Sequence, residues 1–97
     1  MRRYKVDCRK VTDFEGFIDA FNRDFVHKVG GHWNGNLDAF NDYLAWPEEE
    51  RYELELIGCQ NLETALDHQY GPDPQTIYEV IYEVFEDQNA YVCVIES

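Results

Sequence analysis

The sequence predicts a small α/β fold, a three-stranded parallel sheet with helices packed on it. Runs suited to strands occur near the N-terminus, in the middle and at the C-terminus. Stretches of helical periodicity separate them, in the order β-α-α-β-α-α-β. Strands joined through helices cannot be hairpins and lie parallel through crossovers. Ninety-seven residues suffice for one modest core and are too few for two, so residues 1–97 read as a single domain.

Each element has a local cause. Between Arg3 and Cys8, Tyr4, Val6 and Cys8 alternate with polar residues, as in a half-buried strand. Thr12-Asp13-Phe14-Glu15 reads as a capping box that opens the first helix. Phe14, Phe17, Ile18, Phe21 and Phe25 then recur at helical spacing, so the helix runs to about Phe25 and its phenylalanine stripe is core. The segment from Val29 to Gly35 is a connecting loop. A short helix starts at Asn36 and stops near Trp46, because the residue before Pro47 is pushed away from helical dihedrals. In Arg51 to Gly58, Tyr52, Leu54 and Leu56 alternate with Glu53 and Glu55, giving a second strand. Asn61 to Asp67 reads as a further short helix.

The last long helix opens with Asp73 as N-cap and Pro74 at its first position, where a missing N–H costs nothing. Its buried stripe is Ile77, Val80, Ile81 and Val84. Glu79, Glu83 and Glu86 form an acidic ridge, with Asp87 near the end. Tyr91 to Ile95 is continuously apolar, as expected for a strand covered on both sides or at the centre of a sheet.

Composition narrows the function. The chain is 44% apolar and 15% aromatic, the make-up of a folded domain and not of a disordered acidic tail. It has no apolar run of about eighteen residues, so no membrane span is expected. Met1 to Asp7 lacks the apolar stretch of a secretory signal, which makes the cytoplasm the expected location. Cys8, Cys59 and Cys93 are odd in number and lack CxxC spacing, so reduced and mostly buried thiols are expected. The net charge is −12 and unevenly spread. Residues 1–28 hold seven Lys/Arg against five Asp/Glu, whereas residues 29–97 hold one, Arg51, against fifteen. Such a surface repels nucleic acid and anionic membranes and attracts a basic protein.

The short helix after Asn36 carries the functional signal. Asn36 is a suitable N-cap, and Leu37, Phe40 and Leu44 fall on one stripe with Tyr43 at its edge. Asp38 and Asp42 project together from the other side. Asp38 lies in the first turn and complements the helix dipole. Asp42 lies where the dipole opposes it, and like charges at i,i+4 cost a further few tenths of a kcal/mol, roughly. An acid that local physics disfavours is a candidate for work on a partner.

Other chemistries fit less well. As an acid/base pair the two aspartates need a cleft that raises one pKa, and an exposed acidic helix face offers none. His27 and His32, with Asp38, match no established ligand spacing, and His68 is isolated. The histidines therefore read as surface or structural residues, and no metal or other cofactor is expected. There is no Gly-rich phosphate loop, and the one serine, Ser97, is terminal. The chain thus reads as a non-enzyme. Trp33 and Trp46 flank the aspartate helix, either as core or as interface anchors.

The run Asn36-Leu37-Asp38-Ala39-Phe40-Asn41-Asp42, preceded by the aromatic Trp33 and a glycine-containing turn, resembles the second helix of the barstar family of small ribonuclease inhibitors. Chain length and element order agree with that family over nearly all of the sequence. Gly35 stands one place later than the commoner arrangement, and Trp46 one place from a family interface aromatic. The resemblance implies a barstar-like fold and an immunity protein that blocks the active site of a basic bacterial ribonuclease, standing where RNA phosphates bind. It implies Asp42 as the dominant contact and Asp38 as a secondary one. Trp33, as a partly exposed anchor, or His32 packs beside them, with Asn36 and Trp46 adjoining and Glu83, Glu86 or Asp87 adding rim charge. The free inhibitor is expected to be a monomer. The alternative is an immunity or adaptor domain of the same fold that binds a basic protein other than a ribonuclease, and a carboxylate-dyad hydrolase ranks third.

Overall fold

Strands β1 (Arg3–Asp7), β2 (Tyr52–Ile57) and β3 (Val92–Glu96) form one parallel sheet in the order β1-β2-β3. The computed structural model describes residues 2–45, 51–69, 72 and 74–96. Helix α1 (Phe14–Phe21) and α2 (Leu37–Leu44) link β1 to β2, and α3 (Leu62–Ala65) and α4 (Ile77–Asp87) link β2 to β3. This is the predicted α/β architecture.

Register explains the two faces of the sheet. Tyr4 pairs with Leu54 and Leu54 with Val94, while Arg3 pairs with Glu53 and Glu53 with Cys93. Tyr4, Val6, Tyr52, Leu54, Leu56 and Val92 are buried on one face. On the other face Arg3 bridges Glu53 at 3.4 Å and Glu55 at 3.5 Å. The centre of the sheet is therefore β2, not the apolar C-terminal strand. In β3 only Val92 is buried, and Cys93 and Ile95 lie half-buried beside Glu53 and Glu55. A run of apolar residues reads as two covered faces, but here the second face is only partly shielded.

The first helix begins one residue later than its capping-box reading. Asp13, not Thr12, is the N-cap, and its Oδ1 accepts from the Gly16 N–H at 2.8 Å. An aspartate here adds a full charge to the cap at the positive end of the helix dipole, which a threonine cannot. Past Phe21 the helix widens into a π-turn (Asn22–Val26) and tightens into a 3₁₀ turn (His27–Val29), ending at Gly30 with φ +90°. The phenylalanine stripe is core as expected: Phe17, Phe21 and Phe25 are fully buried, and Phe14 packs against them.

Helix α4 starts at Ile77, not at Pro74, and its N-cap is Thr76; Asp73 lies outside the described residues. Thr76 and Glu79 form a reciprocal capping box. The next free N–H groups, of Ile77 and Tyr78, donate to the carbonyls of His68 (2.8 Å) and Leu66 (3.1 Å). The helix therefore begins where the chain after α3 offers acceptors. Its buried residues are Ile77, Ile81 and Phe85, with Val80 and Val84 half-buried. The three cysteines are thiols, not disulfides; only Cys8 is buried, which pushes its thiol up to about 12, and Cys59 and Cys93 are half-buried, fewer buried than expected. Among the described residues no helix is long and apolar enough to cross a membrane.

One buried polar side chain ties the loop to this core. The Asn22 Nδ2 donates to the Trp33 carbonyl at 2.7 Å, and the Trp33 N–H donates to Asn22 Oδ1 at 2.7 Å. Asn22→Ala leaves both backbone groups buried without a partner. The expected cost is about 2–4 kcal/mol, read as a lowered urea midpoint. An unchanged midpoint would show that water satisfies the Trp33 backbone instead.

Candidate functional site

Helix α2 is held at both ends. The Asn36 Oδ1 accepts from the Asp38 N–H at 2.8 Å, and the Asn36 carbonyl accepts from Trp33 Nε1 at 2.8 Å. At the other end the hydroxyl of buried Tyr52 donates to the Leu44 carbonyl, one of the acceptors a helix terminus leaves open. Leu37, Phe40 and Leu44 are buried, whereas Asp38, Asn41 and Asp42 are exposed. The preceding loop is fastened to the helix flank, with the Tyr43 hydroxyl donating to the His32 carbonyl at 2.7 Å. A Cβ on Gly31 would stand 2.5 Å from the Tyr43 ring, so only glycine permits this approach.

Among the described residues no Arg or Lys ion-pairs with an acid of α2 or α4, and three of the arginines are engaged elsewhere. Arg9 hydrogen-bonds Asp7 and Arg23 hydrogen-bonds Asp24, which holds both carboxyls below the usual range. Arg3 is engaged on the open face of the sheet. Among the described residues, neither the Asp38 nor the Asp42 carboxylate has a hydrogen-bonded or ion-paired partner.

Where α2 packs on α4, a groove is lined by Leu37, Asp38, Asn41, Val80, Val84, Asp87 and Gln88. The Gln88 Nε2 donates to Asn41 Oδ1, while Gln88 Oε1 is buried and unpartnered. Of the three α4 acids singled out from sequence, Asp87 shares this groove with Asp38. Glu83 and Glu86 line a different depression with Tyr78, Glu79 and Tyr82, and Glu83 accepts from Gln75 at 2.8 Å. Asn41 and Gln88 went unnoticed in the sequence, since nothing there pairs residues 47 positions apart.

Three other candidates fall differently. Trp33 is 1% exposed, packed edge-on against Phe14, Phe17 and Phe21, and is no exposed anchor. The apolar payload of an indole favours the aromatic core, and its one polar atom finds an acceptor there. Trp46 lies outside the described residues. His32 is exposed, its ring bonded to that of His27, and the Asn36 side chain is committed to capping.

A family model described as barstar, the barnase inhibitor, matches residues 1–95. The chain belongs to the barstar family. The match spans α2 and α4, and so both walls of the groove. A search of curated proteins finds no match.

In this barstar-family chain Asp42 is exposed, without a partner among the described residues, and opposed by the helix dipole. Asp42→Ala should leave folding stability unchanged or raise it, by up to about 1 kcal/mol in urea unfolding. A marked loss would make Asp42 a structural residue.

Proposed function

We propose that this barstar-family chain inhibits a basic ribonuclease by occluding its active site. The observation that carries this reading is the pair Asp38 and Asp42, exposed and without partners among the described residues on a helix fixed at both ends. A preorganised carboxylate accepts charge-assisted bonds from Arg, Lys and His side chains with little ordering cost. In a ribonuclease those cations hold RNA phosphates, so the helix competes for the substrate's own contacts. Asp42 is the dominant contact and Asp38 a secondary one. Asp87, across the groove from Asp38, adds charge from α4. The chain acts as a cytoplasmic, monomeric immunity protein for the cell that makes the nuclease, and it performs no catalysis itself.

The test is recovery of a basic protein from the native cell on the immobilised chain, with RNA cleavage measured with and without inhibitor. Asp42→Ala is expected to weaken inhibition by about 2 kcal/mol or more, roughly thirtyfold in Kd, because it leaves buried cations of the partner unpaired. A recovered partner without RNA-cleaving activity would favour the adaptor reading. Association should also slow markedly between low and physiological salt, since screening acts mainly on encounter. The family's founding pair is the standard case of such steering, so this expectation is inherited from it. Stopped-flow rates that stay flat over that range would sink the electrostatic part of the mechanism.

A further inference from the structure

Two histidines that share no sequence signal are brought into contact by the loop before α2. His27 opens the 3₁₀ turn that ends the first helical segment, and His32 follows Gly30 and Gly31. The His27 Nε2 lies 3.1 Å from the His32 Nδ1. Their rings are within 18° of parallel, with centroids 5.4 Å apart. That separation exceeds the nitrogen separation by about two ring radii, so the nitrogens meet end to end and the rings do not overlap face to face. With both rings neutral, one nitrogen donates a proton to the lone pair of the other.

We propose that His27 and His32 form a two-imidazole site for a borderline transition-metal ion such as Zn²⁺ or Ni²⁺. Two imidazole nitrogens on a tetrahedral ion with bonds of about 2.0–2.1 Å stand about 3.3 Å apart. The two nitrogens are already held near that span. The ion takes the place of the shared proton as the donor ring exchanges through solvent to its other neutral tautomer, with the proton on its far nitrogen, and turns of two exposed rings bring both lone pairs onto the ion. The backbone that sets the span is anchored. Gly30 N–H donates to the His27 carbonyl at 3.2 Å and Gly31 N–H to the Val26 carbonyl at 3.0 Å, while the His32 carbonyl accepts from Tyr43. Among the described residues no third His, Cys, Asp or Glu completes a cluster, so water fills the remaining positions. Imidazole donors favour Zn²⁺, Ni²⁺ and Cu²⁺ over Ca²⁺ and Mg²⁺. A bound ion clips residue 27 to residue 32 and stiffens the loop that leads into α2.

The experiment uses the 97-residue chain without a partner, so its failure leaves the ribonuclease reading untouched. Zn²⁺ and then Ni²⁺ are titrated in while imidazole resonances and binding heat are recorded. Selective shifts of the His27 and His32 rings are expected, with His68 unmoved. His27→Gln and His32→Gln, each confirmed folded by urea unfolding, should each weaken binding at least about tenfold, since even second-shell changes at metal sites cost that much. Absent ring shifts at millimolar Zn²⁺ would reduce the pair to a hydrogen bond. Equal affinity in both variants would place the ion elsewhere, at the half-buried thiols of Cys59 or Cys93, and would overturn the proposal.

Discussion

The clamp between Asn22 and the Trp33 backbone is the interaction on which the arrangement depends. An amide side chain is both donor and acceptor, so one residue satisfies both polar groups of a loop residue that has entered an aromatic core. Without it, burial of Trp33 would strand an N–H and a carbonyl among Phe17, Phe21 and Phe40. With it, the indole lies against four rings and its Nε1 reaches the carbonyl of Asn36, the N-cap of α2. The π-turn begins at Asn22 itself, and such turns often occur where a helix must re-aim a functional residue. Orientation of the aspartate helix thus rests on a polar contact inside an apolar cluster.

Around that core, charge is divided by address. Arg3, Arg9 and Arg23 serve the sheet and the start of the chain, each beside a nearby acid. Among the described residues the α2 and α4 acids receive no such relief. Self-repulsion of this kind lowers stability, and the buried aromatic mass offsets it. A surface that destabilises its own fold while remaining rigid is suited to a partner that supplies the missing positive charge.

The sequence made some of this legible and left the rest hidden, for physical reasons. Strong periodicity revealed α1, the burial of Leu37, Phe40 and Leu44, the cap at Asn36 and the alternation of β2. Local chemistry misled where two neighbouring residues competed for one role, as at Thr12 and Asp13. It misled again where a distant acceptor decided the outcome, as at Thr76, whose helix begins against the carbonyls of Leu66 and His68. The apolar run of β3 looked central because a half-shielded face and a covered one leave the same mark on composition. Trp33 could be placed near the aspartates but not inside or outside, since an indole suits either. Contacts such as Asn41 with Gln88 and His27 with His32 follow from tertiary geometry alone.

The docking of α4 on the chain after α3 has a mechanical consequence. Eleven residues at 1.5 Å each make α4 a rod about 16 Å long, docked at the carbonyls of residues 66 and 68, with Asp87 at its far end. A tilt of about 5° at the docked end moves the far end by about 1.4 Å, a large step on the scale of a hydrogen bond. The spacing between Asp38 and Asp87 is therefore adjustable from residues 62–69, none of which line the groove between the two helices. A binding face built this way can be refitted to a new partner by substitutions that never touch it.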